Sequence, residues 1–322
     1  MSLNRRQLIA ASAAIAAVGL PAHAQSFPNK PIRLIVPYPP GGSSDIIARA
    51  ISQLLSESMG QPVVVENRAG ANGNIGADLV AKSAPDGHTM LLCDVGALAI
   101  SPSVYTKLAF NPSKDLRGVT MLAYSPHMLA VHPSVKANNL KELVELSKTS
   151  DLNFAVTAVG SAPHVAGVAV QRATGAKWIY VPYKGGSQAV TDTVAGQTQV
   201  IMNGMLATLP HVQSGRLKVL GISKKTRMPL VGNVPTLAEQ GVTGFESGTW
   251  QGVLVANGTP PAIIARLNTE LIKIIRSPDV RARLTGQGAE VITMQPTEQD
   301  TFFERERKRW GEVVAEANIK LD

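Results

Sequence analysis

The sequence predicts an α/β protein of two lobes, each with a mostly parallel sheet flanked by helices. The first observation is that short apolar runs, typical of strands, alternate with runs whose apolar residues repeat at helical spacing. The second is that this alternation occurs twice in a chain of 322 residues, which is long enough for two domains. The third is that apolar runs at 118–131 and 248–256 are placed to cross between the halves. Two crossings between two lobes predict a hinged clamshell.

The first lobe opens with a strand at Ile32–Val36 and a helix at Asp45–Met59, which Ser44 or Asp45 caps and Gly60 ends. The series continues with a buried strand at Pro62–Glu66, a short helix ending at Lys82, a turn at Pro85–Gly87 and a strand at His88–Cys93. Successive β-α-β units of this kind predict parallel strands.

The second lobe repeats the alternation after a break at Ser125-Pro126. Its predicted strands are Asn153–Thr157, Trp178–Val181, Thr198–Met202 and Arg216–Ile222, and its predicted helices are Leu140–Lys148, Gln188–Ala195 and a segment ending at Gln213. The chain is completed by a return strand at Gly248–Ala256 and helices at Pro260–Ile275, Asp279–Leu284 and Thr297–Ala317. We therefore assign residues 25–124 and 249–322 to lobe 1 and residues 125–248 to lobe 2.

Residues 1–24 have the pattern of a secretion signal. Arg5-Arg6 precedes an apolar segment at Leu8–Leu20, and Ala22-His23-Ala24 fits the cleavage rule, which places the mature start near Gln25. The segment is too short to span a bilayer, and no cysteine follows the cleavage site to carry a lipid anchor. We expect a soluble exported protein, most simply periplasmic. The adjacent arginines leave both the general and the twin-arginine export routes open.

Composition narrows the class of ligand. The formal net charge of +8, less the two signal arginines, leaves +6, which favours attraction of anionic solutes. Export argues against nucleic acid, and an aromatic content of 4% argues against stacking platforms for sugars or bases. The histidines show no metal-ligand spacing, so we expect neither a metal nor a cofactor. The single cysteine, Cys93, is predicted to be a buried, inert thiol.

Two similar glycine loops, Pro37–Ser43 and Pro182–Ser187, each follow a strand and precede a helix. Prolines stiffen the first loop, and glycines such as Gly41 and Gly42 allow a ligand to approach the backbone. Free N–H groups at a helix start attract anions, and such loops lie where α/β sheets bind ligands. We interpret them as two halves of one ligand site, although each is also compatible with a turn that only connects elements.

Further candidates have alternatives that the sequence leaves open. Asp94 ends a strand, where it can meet a ligand's donor group or cap a helix. Lys184 can pair with an anion or remain solvated, and Trp250 can line the cleft or belong to the core between lobes. Ser161 and His164 favour hydrogen bonds to a ligand over hydrolysis, because the chain has no G-x-S-x-G elbow. The Gly70–Gly76 stretch does not match a nucleotide-binding fingerprint.

Several motifs together resemble one family, the tripartite tricarboxylate transporter receptors, also called Bordetella uptake gene (Bug) or TctC-type proteins. The motifs are Phe27-Pro28 with Pro31–Asp45, Glu66–Gly76, Pro85–Thr89, Val181–Gly186 and Gly258–Pro261, in the family's order over nearly the whole mature chain. The resemblance implies a periplasmic receptor, not an enzyme, with a two-lobe, type II binding-protein (Venus flytrap) fold. It implies as partners a small carboxylate and the large and small membrane subunits of a tripartite transporter, and we expect a monomer.

The resemblance also implies which residues bind the ligand. The family's two pincer loops correspond to Tyr38, Pro40, Gly41, Gly42, Ser43, Ser44 and Asp45, and to Tyr183, Lys184, Gly185 and Gly186. Other pocket positions correspond to Asp94, Val95, Gly96, Thr157, Gly160, Ser161, His164, Asn203, Trp250 and Gln251. Two departures, Asp94 in place of a small polar residue and the Ala158–Ser161 loop, favour a ligand with a cationic or donor group beside its carboxylate. A sensor-type receptor for a signalling protein and an exported hydrolase are the alternatives.

Overall fold

Ten strands form one mixed sheet in the computed structural model, which describes residues 27–317. In chain order they are β1 (Ile32–Val36), β2 (Val63–Asn67), β3 (Thr89–Asp94), β4 (Leu116–Val131), β5 (Asn153–Val156), β6 (Ile179–Pro182), β7 (Val200–Gly204), β8 (Lys218–Ile222), β9 (Gly248–Ala256) and β10 (Glu290–Val291). The predicted signal peptide at 1–24 lies outside the described residues.

Eleven α-helices lie around this sheet within the same residues. They are α1 (Ser43–Met59), α2 (Asn74–Ala81), α3 (Val95–Val104), α4 (Pro112–Asp115), α5 (Leu140–Ser147), α6 (Ala162–Thr174), α7 (Gly186–Val194), α8 (Met205–Gln213), α9 (Pro261–Ile275), α10 (Pro278–Thr285) and α11 (Pro296–Ala317). No helix among residues 27–317 combines the length and the apolar character that crossing a membrane would need.

The strands of the two predicted α/β series are parallel, as expected. In the first lobe β1 pairs in parallel with β2 and β3, and in the second β5 pairs in parallel with β6 and β7. The long strands β4 and β9 run between the lobes, and they add the antiparallel pairs of the sheet. The first part of β4 pairs with β9 and β10, and its last residues pair with β7 and β8.

The two crossings lie side by side. Ser125 and Pro126 of β4 face Thr249 and Gly248 of β9, so both connections pass from lobe to lobe at one place. This arrangement confirms the predicted two-lobe fold with two crossover strands. The lobe boundaries after residues 124 and 248 stay a prediction.

The helices contribute to the core through their apolar, sheet-facing sides. In α1, Ile47, Ile51 and Leu55 repeat every fourth residue and are fully buried, and Gly60 ends the helix in a left-handed conformation. One hydrophobic cluster fills the first lobe and two clusters cover the faces of the second. Leu206 of α8 and Val165 of α6 join the first-lobe cluster, so the lobes are packed together.

Three details differ from the sequence prediction. Helix α1 begins at Ser43, with Gly42 as its cap, because neither Ser44 nor Asp45 makes a side-chain cap. Strand β2 lies at the sheet edge, which leaves Val64 48% exposed, so the prediction of a buried strand was wrong. Helix α3 was not predicted, since its residues 96–101 are all buried and show no amphipathic period.

Candidate functional site

Both glycine loops meet at one cavity between the lobes. Gly42 and Ser43 line it from the first loop and Gly186 lines it from the second. The cavity measures about 40 Å³, where one ordered water needs roughly 10–15 Å³. The space between the closed lobes therefore suits a short molecule.

The two loops also touch each other, which closes the cleft. A Cβ atom built on Gly185 would lie 2.3 Å from Cδ of Pro39, and one on Gly41 would lie 3.6 Å from Cβ of Ser187. Gly41 has a left-handed backbone with φ of +82°, which favours glycine at this turn. The loops thus form the contact between the lobes as well as part of the cavity wall.

Four helices begin at the cavity. Residues at or just before the starts of α1, α3, α6 and α7 line it, namely Ser43, Asp94, Ser161 and Gly186. The first backbone hydrogen bond of α1 runs from Ile46 to Gly42, so the N–H groups of Ser43 and Ser44 find no acceptor among residues 27–317. Because helix starts carry partial positive charge and free N–H groups, the cavity favours an anion.

Buried amide side chains line the same cavity with unpaired atoms. Gln251 is fully buried, and neither its Nε2 nor its Oε1 has a hydrogen-bond partner among the described residues. Asn203 Nδ2 and Asn72 Oδ1 are likewise buried and unpaired there. Buried polar atoms are nearly always paired in folded proteins, so these atoms give the cavity hydrogen-bonding capacity that a polar ligand or water would fill.

Asp94 is the carboxylate of the cavity wall. It is 5% exposed, and its Oδ1 accepts a 2.9 Å hydrogen bond from the N–H of Gly96, which caps α3. Burial raises the pKa of Asp94 to about 7, although backbone N–H bonds from Gly96, Ala97 and Trp250 act in the opposite direction. Asp94 therefore caps a helix and also lines the cavity, and its contact with a donor group of the ligand stays a prediction.

A buried histidine fixes the cavity wall at the crossing. The two ring nitrogens of His127 lie 3.0 Å from the hydroxyls of Ser247 and Thr249, and Thr249 lines the cavity. Burial lowers the pKa of His127 to about 3, so its ring is neutral at physiological pH. The ring positions the Thr249 hydroxyl at the point where β4 and β9 change lobes.

Ten predicted site residues line the cavity. They are Tyr38, Gly42, Ser43, Ser44, Asp94, Thr157, Ser161, Gly186, Asn203 and Gln251. Two lining residues, Asn72 and Thr249, were not predicted, and a further one, Pro163, lies within the Thr157–His164 stretch that the resemblance implied. Thr249 stands two positions before Gln251 on the same strand, so the strand period placed it on the same face. No pattern in the sequence predicts Asn72 as a lining residue, because its position depends on a left-handed turn.

Asp45 supports the first loop and does not line the cavity. Its buried carboxylate accepts hydrogen bonds from the N–H of Gly41, from Arg49 and from Asn67, at 2.9 to 3.0 Å. These bonds also occupy the Gly41 amide, so Gly41 has no free donor for an anion. Pro40 is exposed at the tip of this loop, outside the cavity wall.

Three residues of the second loop also lie outside the cavity wall. Lys184 is exposed and, with Asn72 and Ala158, lines a second cavity, so its pairing with an anion stays a prediction. Tyr183 lines the same second cavity and packs against the core of its own lobe. Gly185 contacts Pro39 instead of the cavity.

Trp250 packs against the core of the first lobe. Its ring centroid lies 4.3 Å from that of Tyr124 and 4.8 Å from that of Phe302. Gly96 is not part of the cavity wall, because its N–H binds Asp94, and the side chain of Val95 lies outside the described part of the chain.

Ser161 and His164 do not form a nucleophile–base pair. The Ser161 hydroxyl donates to the carbonyl of Ala158 at 2.7 Å and accepts from the backbone N–H of His164 at 3.3 Å. The Nδ1 atom of His164 accepts from the N–H of Gly160 at 3.1 Å, and burial lowers the pKa of His164 to about 4. Gly160 and His164 therefore support the α6 start behind the cavity wall. Among residues 27–317, no cluster of His, Cys, Asp or Glu could hold a metal ion.

Comparisons with known proteins show the family. Residues 47–319 match the model of the tripartite tricarboxylate transporter family receptor. The chain is 38% identical to protein BugT of Bordetella pertussis over 96% of this chain and 95% of that protein. Among solved structures, Rpa4515 of R. palustris with adipate superposes with a TM-score of 0.88 and 32% identity, covering 92% of this chain and all of that one. The periplasmic binding protein BugD gives 0.87 and 29% over the same shares. The chain therefore belongs to the tripartite tricarboxylate transporter receptor family and has the fold of a two-lobe periplasmic binding protein.

Proposed function

We propose that this chain captures a small carboxylate in the cavity between its lobes and delivers it to a tripartite tricarboxylate-type membrane transporter. One observation carries the proposal: buried polar atoms without a partner among the described residues and the starts of four helices from both lobes surround one cavity in the cleft. The family supplies the receptor role, and Rpa4515, solved with adipate, is a relative recorded with a carboxylate. The predicted signal at 1–24 supports a periplasmic location.

The carboxylate is held at the donor side of the cavity. Ser43 and Ser44 supply N–H groups at the start of α1, and Asn203 supplies an unpaired Nδ2 from the other lobe. A Cβ atom built on Gly186 would lie 2.9 Å from the Asn203 amide, so Gly186 leaves that group accessible. Hydrogen bonds from both lobes to one carboxylate stabilise the closed form, because only that form makes all of them.

The opposite side of the cavity favours a ligand that also carries a donor group. Asp94 and Gln251 face each other across β3 and β9, so their side chains share one face of the sheet. Thr249 lies two residues from Gln251, about 7 Å along the strand. This distance matches the length of a ligand's carboxylate together with a neighbouring amino or hydroxyl group. An ammonium or hydroxyl donor would bind Asp94, whereas a second carboxylate would meet a carboxyl group that must be protonated.

A thermal-shift screen tests the proposal. The panel contains organic acids, hydroxy acids, amino acids and pyridine carboxylates at one common concentration. An acid that reaches a hundredfold excess over its dissociation constant adds roughly 2.7 kcal/mol of stability. For a chain of this size the melting temperature should rise by several degrees. Unshifted melting across the whole panel would reject the carboxylate site. The sensor role is tested separately, because a receptor for signalling binds its ligand but restores no uptake in transporter-reconstituted vesicles.

A further inference from the structure

The side chain of Asn72 joins the two lobes. Its Nδ2 donates a buried 3.2 Å hydrogen bond to the carbonyl of Gly160, which lies 88 positions later in the second lobe. Asn72 is 5% exposed, so water does not compete for this bond. The contact can form only when the lobes are closed, because its two atoms belong to opposite sides of the cleft.

The other end of the same amide is unpaired among the described residues, and the side chain lines the ligand cavity. Asn72 lines the cavity, and its Oδ1 is buried without a partner among residues 27–317. An amide oxygen accepts hydrogen bonds and cannot donate them, so the group that completes it must carry an N–H or O–H. One side chain thus contacts the ligand space and the opposite lobe at the same time.

The backbone holds Asn72 in this position. Asn72 has φ of 54° and ψ of 33°, in the left-handed region, between Ala71 with φ of 45° and Gly73 with φ of 89°. Asparagine tolerates this region better than most residues, but three such residues in succession are uncommon and are typical of ligand clamps. Tyr38 packs against the turn, since a Cβ on Gly73 would lie 3.1 Å from its hydroxyl.

The acceptor on the second lobe is fixed as well. The N–H of Ser161, which shares a peptide with the Gly160 carbonyl, donates to the carbonyl of Ala158 at 3.2 Å, and this bond orients the peptide that Asn72 contacts. A Cβ atom on Gly160 would lie 2.8 Å from Val104 of the first lobe. Gly160 therefore lets the lobes approach closely enough for the bond to Asn72.

We infer that Asn72 is a specificity-determining latch: its Oδ1 accepts a donor group of the bound carboxylate while its Nδ2 holds the second lobe closed. This role rests on the proposed function and adds to it the ligand group that is recognised and the bond that retains it. Its consequence is kinetic. Removing the latch should raise the rate constant of ligand dissociation more than it changes the rate constant of association.

Two matched series of acids serve as probes: propionate, lactate and alanine, and succinate, malate and aspartate. Within each series only one substituent changes, from hydrogen to hydroxyl to ammonium. For the wild-type chain we expect the hydroxyl or ammonium member to dissociate at least tenfold more slowly than the unsubstituted acid in stopped-flow displacement. If none of the six binds while other acids of the panel shift the melting temperature, the latch is wrong and the carboxylate receptor stands.

Two variants separate the two ends of the amide. Asn72→Gly removes both atoms and suits the left-handed backbone, and Asn72→Asp keeps an acceptor but loses the donor to Gly160. Both should release the probes about tenfold faster, and only Asn72→Gly should lose the preference for the substituted acids. The matched control is Asn74→Ala, since Asn74 is also buried and unpaired but does not line the cavity. Unchanged release and preference in Asn72→Gly, or equal effects in Asn74→Ala, would overturn the inference.

Discussion

Gly185 of the second lobe lies against Pro39 of the first, so closely that a Cβ atom on Gly185 would stand 2.3 Å from Cδ of the proline ring. The backbone of Gly185 has φ of 177°, an extended conformation that any residue adopts. Glycine is therefore required here by the neighbouring lobe and not by the local fold. A substitution at Gly185 should therefore affect only the closed arrangement of the lobes.

Gly185→Ala should weaken ligand binding without destabilising the free protein. Opening the cleft relieves the clash with Pro39, but the closed form must move both loops apart, so we expect the dissociation constant to rise by roughly tenfold or more, about 1.4 kcal/mol. Titration calorimetry and thermal unfolding of the unliganded variant measure the two effects. The double variant Pro39→Ala with Gly185→Ala is the control, and it should recover much of the affinity. Equal losses in the single and double variants would show that the clash is not the cause.

Gln251→Met should separate stability from binding. The side chains have similar volume, and the change removes two buried polar atoms that have no partner among the described residues. We expect the free protein to keep or raise its melting temperature, because an unpaired buried polar group costs about 1–3 kcal/mol. The same variant should lose most of its thermal response to carboxylates. A variant that melts lower but responds as the wild type does would mean that Gln251 has only a structural role.

The fold was largely predictable because local patterns and the overall fold agree. Strand β1 and strand β9 match their predicted bounds, and Gly60 ends α1 as expected. Helix α3 was missed because its residues 96–101 are all buried, and periodicity gives no signal where a helix has no solvent face. The edge position of β2 depends on which strands pair, which a strand's own sequence does not encode.

The site was predictable where it follows from strand ends and helix starts. Ser43 at the start of α1 and Asp94 at the end of β3 follow this rule and line the cavity, whereas Gln251 lies within β9 and was expected from the family resemblance. Asp45 and Trp250 were expected from the family resemblance. Hydrogen bonds from Arg49 and the Gly41 N–H hold Asp45, and Trp250 packs on Tyr124, so neither lines the cavity. The contribution of Asn72 depends on a left-handed turn and a partner 88 residues distant, which no local pattern shows.

Cys93 should resist thiol reagents in the native state. It is 1% exposed, and burial raises the pKa of its thiol well above the usual value, so little reactive thiolate is present. Labelling by a disulfide reagent should therefore proceed only through unfolding, and a bound carboxylate should slow it in proportion to the added stability. The measurement is the labelling rate with and without the acid that gives the largest melting shift. Fast labelling that is independent of ligand would show that the thiol is accessible in the folded protein.

The contribution of Asp94 to the free energy of unfolding should fall as pH rises, whereas that of an ordinary paired carboxylate rises with pH. Its pKa is about 7 in the folded protein against about 3.9 for an unfolded aspartate. The folded state thus holds a proton that the unfolded chain releases, so the contribution is fully present below about pH 4 and is lost as pH rises through 7. The gap corresponds to at most roughly 4 kcal/mol.

Asp94→Asn removes this titration while its amide oxygen still caps α3. The variant should therefore gain stability relative to the wild type as pH rises from 4 to 8, as urea unfolding at several pH values would measure. Glu66→Gln is the control, because the hydrogen bond from Arg33 lowers the pKa of Glu66 to about 2. That stabilisation is present above about pH 4.5 and is lost towards pH 2, so its difference curve changes on the acid side. A difference between wild type and Asp94→Asn that stays constant from pH 4 to 8 would contradict a protonated Asp94, because only a group that titrates in this interval can change the slope.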